Sequence, residues 1–153
     1  MKIRVDQWTN FLGAIGAGLI VALAFAAVAV ASIRHYHGAV NEGGSLRFET
    51  KVRHGDTIKV KSFVFNHVPM ECDDGASTVG DVGSPPPPMR VNQEHRFHGD
   101  FTSGNGHKRL RIRGRLRDRD QKARGTLRVT GNFGDGATNC DTGKTRWHAK
   151  HGA

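Results

Sequence analysis

Acidic residues are scarce in this chain. Its 153 residues hold 14 Asp and Glu against 23 Lys and Arg, for a net charge of +9. That imbalance argues against basic partners and favours anionic ones. Cysteine is scarcer still, with Cys72 and Cys140 the only two. Their wide spacing excludes a Cys-x-x-Cys redox centre or a cysteine-built zinc site. The chain lacks a His-Glu-x-x-His motif despite nine histidines. His95 and His98 would fall on opposite faces of a strand, so no metal or other cofactor is expected. Ser45, Ser62, Ser77, Ser84 and Ser103 are not set in a Gly-x-Ser-x-Gly elbow. The close carboxylate pairs, Asp73-Asp74 and Asp118/Asp120, lie in turn sequences where Asp serves local hydrogen bonding. No catalytic residue is therefore expected, and an unrecognised hydrolase is the enzymatic alternative. Helical periodicity is also missing after residue 33, which excludes an α/β domain.

What is present first is one long apolar run. Phe11 to Ile33 carries no charge, with Lys2 and Arg4 before it and Arg34, His35 and His37 after it. About 20 apolar residues in a helix cross a bilayer core, so residues 1–31 suit a membrane anchor. They equally suit a signal peptide: Ala29 and Ala31 place small side chains at the two positions a peptidase reads before a cut at Ser32. Both alternatives export the rest of the chain, whether secreted or held at the cytoplasmic membrane with the domain outside. Cys72 and Cys140 fit that compartment as one structural disulfide. Losing residues 1–31 removes only Lys2, Arg4 and Asp6 from the charged set, so the basic excess belongs to the exported part.

Residues 32–44 show no period, end in Gly43-Gly44 and read as a linker. The domain is expected over residues 45–150. Leu46, Phe48, Thr50 and Val52 alternate with Arg47, Glu49, Lys51 and Arg53, the pattern of a half-buried strand. A second strand is expected from Thr57 to Val68, with drifting phase. Residues 73–88 read as a long loop stiffened by Pro85 to Pro88. Short strands are expected at Met89–Val91 and Arg96–Thr102. Lys108–Arg117 alternates without a slip and Ala123–Thr130 returns, so one hairpin register suits both faces: Leu116 against Ala123, Gly114 against Gly125, Ile112 against Leu127 and Leu110 against Val129. The same register sets Arg115 against Arg124 and Arg111 against Arg128. After a loop at 131–139, a last strand carries Cys140, Trp147 and Ala149. The fold class is all-β: an antiparallel sandwich or barrel of about seven or eight strands behind an N-terminal hydrophobic helix.

The segments VPMEC-DDG, HRFHGDF, IRGRL, ARGTLRVTG and NCDTGKTRWHAK, taken in this order, resemble a group of small secreted β-domains of actinobacterial type. The resemblance spans about residues 45–150 and rests on turn glycines, alternating apolar residues and paired cysteines. It implies an exported β-sandwich-like fold with no assigned chemistry, and it carries over no catalytic residue. The arginine content departs from that pattern.

The arginines supply the one functional pattern. Arg109, Arg111, Arg113, Arg115 and Arg117 share a strand face, widened by Arg124 and Arg128. At about 6.6 Å per residue pair they form a positive stripe of about 27 Å. Guanidinium forks fit phosphate and carboxylate, and a polyanion releases counterions on binding. Two functions follow as expectations. The chain is a non-catalytic cell-envelope structural or binding module, or a polyanion-binding protein using the arginine face. Its partner would be an anionic polymer or a membrane surface. Sequence-specific nucleic-acid recognition is not expected.

Overall fold

A computed structural model describes residues 31–82, 86–103, 106–133 and 137–152. Eleven strands form one open antiparallel sheet: β1 (Ser32–Val40), β2 (Ser45–Arg53), β3 (Asp56–Asn66), β4 (Val68–Glu71), β5 (Ser77–Gly80), β6 (Met89–Arg90), β7 (Arg96–Thr102), β8 (Lys108–Arg117), β9 (Lys122–Phe133), β10 (Ala137–Asp141) and β11 (Thr145–His151). The path runs β5-β4-β10-β9-β11-β1-β2-β3-β6. The pair β7-β8 joins it through β9. Strand β9 holds β8 along one edge, while its other edge pairs first with β11 and then with β10.

The all-β antiparallel expectation holds, and the strand count rises to eleven. The residues expected to be a linker form β1, which lies between β2 and β11 in the interior of the sheet. Tyr36, Gly38 and Val40 are its inward positions, and Tyr36 is fully buried. Glycine at the middle position hides the alternation. It is needed there because a Cβ on Gly38 would lie 1.9 Å from the His148 carbonyl oxygen of β11. The expected second strand divides at His67, whose φ of 58° turns the chain from β3 into β4. The two expected loops hold β5 and β10, and the expected last strand is β10 and β11. The expected N-terminal helix and Ala29 lie outside the described residues.

Strands far apart along the path share one core. Tyr36 stacks on Phe48 at 4.4 Å between ring centroids, and Phe48 lies 5.7 Å from Phe63. Trp147 meets Phe48 and Phe63 edge-on at 5.9 and 5.7 Å. Phe97 reaches both Phe48 and Trp147 at 6.1 Å. Contacts among β1, β2, β3, β7 and β11 require the sheet to curl, since a flat sheet would keep these rings apart. Large rings on a strongly curved wall need thin places beside them, and the Gly114–Gly125 pair, in the same cross-strand row between Phe97 and Trp147, supplies them. A Cβ on Gly114 would fall 2.3 Å from the Phe97 ring, and one on Gly125 would fall 1.9 Å from the Arg113 carbonyl oxygen and 2.6 Å from Trp147. Gly125→Ala is therefore expected to lower stability by about 1–3 kcal/mol or more through overpacking. Urea denaturation checks this, and an unchanged midpoint would mean that the Trp147 ring and β8 yield freely.

Cys72, just past β4, is disulfide-bonded to Cys140 of β10, with Cα atoms 3.9 Å apart. The bond is compatible with an oxidising compartment.

Candidate polyanion-binding face

The hairpin of β8 and β9 has the register expected from the two alternating patterns. Leu110, Ile112, Gly114 and Leu116 face inward opposite Val129, Leu127, Gly125 and Ala123. The five arginines of β8 therefore face solvent. Arg111 lies opposite Arg128 and Arg115 opposite Arg124. Like charges directly opposite each other weaken a strand pair, so something must offset each contact or leave it as a cost.

Carboxylates offset part of the stripe. Arg109 donates from Nε and Nη2 to the two oxygens of Asp100 at 2.7 and 2.6 Å, and Arg111 Nε lies 3.3 Å from the same carboxylate. Arg128 forks onto Asp141, with Nε at 3.0 Å from both oxygens. Lys122 pairs with Asp118 at 2.8 Å. These contacts set the titration of the face. The hydrogen bond from Arg109 holds the Asp100 carboxyl below the usual range, and Lys122 does the same for Asp118. The Asp141 carboxyl is likewise lowered, first by its hydrogen bond from Arg128. Carboxylates lowered in the fold contribute stability above their unfolded value of about 4, and that stability is lost as pH falls through the folded values. A urea midpoint that declines below about pH 4, with a shallower decline in Asp141→Asn, is the expected result.

Arg113, Arg115, Arg117 and Arg124 have no ion pair among the described residues. The ladders add neighbours that sequence spacing does not show. On β7, Arg96 lies opposite Arg115 and His98 opposite Arg113. On β11, His148 lies opposite Arg124 and Arg146 opposite Thr126. Arg96 is paired with Glu94 at 3.2 Å, while Arg146 has no ion pair among the described residues. Two outward rows thus cross the strands side by side: Arg96, Arg115, Arg124 and His148 in one, and His98, Arg113, Thr126 and Arg146 in the other. Between them lies the inward row of Phe97, Gly114, Gly125 and Trp147, where the outer surface is bare backbone.

That bare strip is a hollow of about 560 Å³ lined by Asn41, the two glycines, Trp147 and every member of both rows except His98. A second hollow of about 570 Å³ continues past Phe97 to Arg90 and Asn92, sharing Arg96, Arg113 and Gly114 with the first. The seven arginines expected as one stripe along β8 therefore fall into two groups. Arg109, Arg111 and Arg128 are matched by carboxylates at one end of the face. Arg113, Arg115 and Arg124 border the hollow, and Arg117 continues beyond it. Arg96 and Arg146 were not singled out by sequence, although each alternates with an inward aromatic, Phe97 or Trp147, which marks its outward orientation.

Asp120, expected with Asp118 in a turn where Asp serves local hydrogen bonding, is turned inward and only 4% exposed. No group of three or more His, Cys, Asp or Glu residues that could hold a metal occurs among the described residues. His95 sits in the β6–β7 loop beside Asp120, whereas His98 faces solvent on β7. No family model matches the chain, and neither does any curated protein or solved structure.

Proposed function

We propose that the chain is an exported, non-catalytic binding domain of the cell envelope that engages an anionic polymer through the outer face of β7, β8, β9 and β11. The observation that carries this reading is the group formed by Arg113, Arg115, Arg124 and Arg146, brought from three strands and left without carboxylate partners among the described residues. Nearby Arg109, Arg111 and Arg128 do have such partners, so the fold has the means to neutralise arginines and does not apply it here. Facing like charges cost stability in the free protein. An anionic ligand removes that cost and releases its own counterions.

Export is the compartment that the disulfide and the apolar run of residues 11–33 support, which favours extracytoplasmic polymers over genomic DNA. The test is retention of the purified protein on immobilised inorganic polyphosphate as salt is raised. About four contacts to a flexible polyanion predict a roughly fifty-fold fall in affinity between 50 and 200 mM salt. Arg113→Ser/Arg115→Ser/Arg124→Ser is expected to abolish most of that binding with little change in stability, because all three side chains are exposed. Salt-insensitive binding, or none at 50 mM, overturns the proposal.

A further inference from the structure

The stripe along β8 suggests a polymer lying parallel to the strands. The structure assigns a different path, and this inference rests on the polyanion reading above. We infer that a single linear polyphosphodiester without bases, of the polyol-phosphate kind, lies across the strands in the trough between the two basic rows.

The trough has a direction. Its walls are the rows crossing β7, β8, β9 and β11, and its floor is the backbone of Gly114 and Gly125. With strands about 4.8 Å apart, the walled part is about 14 Å long. The adjoining hollow at Arg90 and Asn92 prolongs it toward β6. Alternate residues on one strand are about 6.6 Å apart, so the walls leave room for one extended chain and not for a double helix. A polymer running along β8 would instead meet Asp100 beside Arg109 and Arg111, and Asp141 beside Arg128, which repel it.

The lining also selects the repeat. Guanidinium groups on both walls suit tetrahedral oxyanions, which accept a two-pronged hydrogen bond from either side. Single-stranded nucleic acids are normally held by aromatic rings stacked on bases. Here the only exposed large hydrophobic residues among those described are Ile33 and Val79, and neither is aromatic. Phe97 and Trp147 lie beneath the trough but are 2% exposed and engaged in the core. The trough therefore reads charge and chain thickness, with nothing to hold a base.

Thr126 provides the decisive variant. It faces outward between Arg113 and Arg146 in the middle of one wall. Thr126→Glu places a carboxylate in the trough between two cations and supports folding through opposite charges across the strands. Binding of poly(glycerol phosphate) to wild type, Thr126→Glu and Arg109→Ser/Arg111→Ser would be compared at 100 mM salt, with single-stranded DNA, duplex DNA and heparin as further probes and thermal unfolding as the folding control. The expected result is at least a tenfold loss in Thr126→Glu at unchanged or raised melting temperature, little loss in the Arg109/Arg111 variant, and weaker binding per charge for the other three polymers. Equal losses in both variants would overturn the trough while leaving polyanion binding intact. Tighter binding per charge by single-stranded DNA, duplex DNA or heparin would overturn the polymer class. Absence of binding to every probe at low salt would remove the polyanion reading itself.

Discussion

Asp120→Ala is expected to cost the domain about 3 kcal/mol. The β8–β9 loop reaches over the end of the curled sheet in an unusual conformation, with Asp118, Arg119 and Asp120 all at positive φ (52°, 55° and 63°). Left-handed backbone at residues other than glycine is unfavourable by about 1–2 kcal/mol each, so the loop needs compensation. Asp120 supplies it. Thr57 Oγ1 donates to its Oδ2 at 2.6 Å, and His95 Nδ1 lies 3.0 Å from Oδ1. Arg34 Nη1 lies 3.6 Å from Oδ2, and the Tyr36 hydroxyl donates to the Asp120 carbonyl oxygen at 2.6 Å. One residue thus ties β1, β3 and the β6–β7 loop to the β8–β9 turn.

Removing the carboxylate takes away the only ion pair of Arg34 among the described residues, and the buried Nη1 makes no hydrogen bond of its own. Breaking a buried ion pair from one side costs about 3–5 kcal/mol. Arg34 keeps a quarter of its side chain in solvent, which places the expectation at the low end. Tyr36 gives an independent optical readout, being the only tyrosine in the chain. Burial raises its hydroxyl pKa above the ordinary value of about 10, and the nearby Asp120 charge raises it further. Its contribution to stability is full below about pH 10 and is lost as pH rises through the folded value. In Asp120→Asn, the absorbance titration of Tyr36 should move down yet stay above the ordinary value, because burial persists. An unchanged titration and an unchanged urea midpoint would show that Asp120 is not the tie.

Replacing both cysteines by serine is expected to cost about 4 kcal/mol, from the loop entropy of a cross-link spanning 68 residues. The loss should not be spread evenly. Strand β4 meets β10 through a single registered pair, Glu71 with Asp141, supplemented nearby by the hydrogen bond from Asn139 Nδ2 to Asp73 at 2.9 Å. The β4–β5 hairpin is held besides by its continuity with β3, by Val68 and Met70 in the core, and just past β5 by the hydrogen bonds from Val82 N to the Phe65 carbonyl oxygen and from His67 N to Asp81. Hydrogen exchange in Cys72→Ser/Cys140→Ser should therefore accelerate first in β5, ahead of β8 and β9. Uniform acceleration, or a urea midpoint within error of wild type, would contradict this account.

The sequence is most legible where two neighbouring strands alternate without interruption. Lys108–Arg117 and Ala123–Thr130 permit one register, and every pair expected from it is present. Legibility fails where glycine occupies an inward position. Tyr36, Gly38 and Val40 form a period of two whose middle residue carries no hydrophobic signal, so β1 looked like linker. It fails again where geometry runs across the chain. Arg96 and Arg146 are 50 positions apart, and only the β7–β8–β9–β11 ladders make them two walls of one trough. Asp118 and Asp120 show a third limit. Two residues apart in one turn, they have opposite fates because the left-handed backbone directs one to Lys122 and the other to Thr57.

Strand β1 begins at Ser32, the residue that follows Ala31, and Ser32 and Ile33 are already paired with Val52 and Lys51. A peptidase holds its substrate as an extended, unpaired segment on both sides of the bond it cuts. A folded sheet would keep the residues after that bond for itself. If Ala31–Ser32 is cleaved, cleavage must therefore precede the docking of β1, and folding competes with processing. Under such cleavage, substitutions that slow the pairing of β1 with β2 would lengthen the time available for the cut, and the sheet would act as a clock on the chain's maturation.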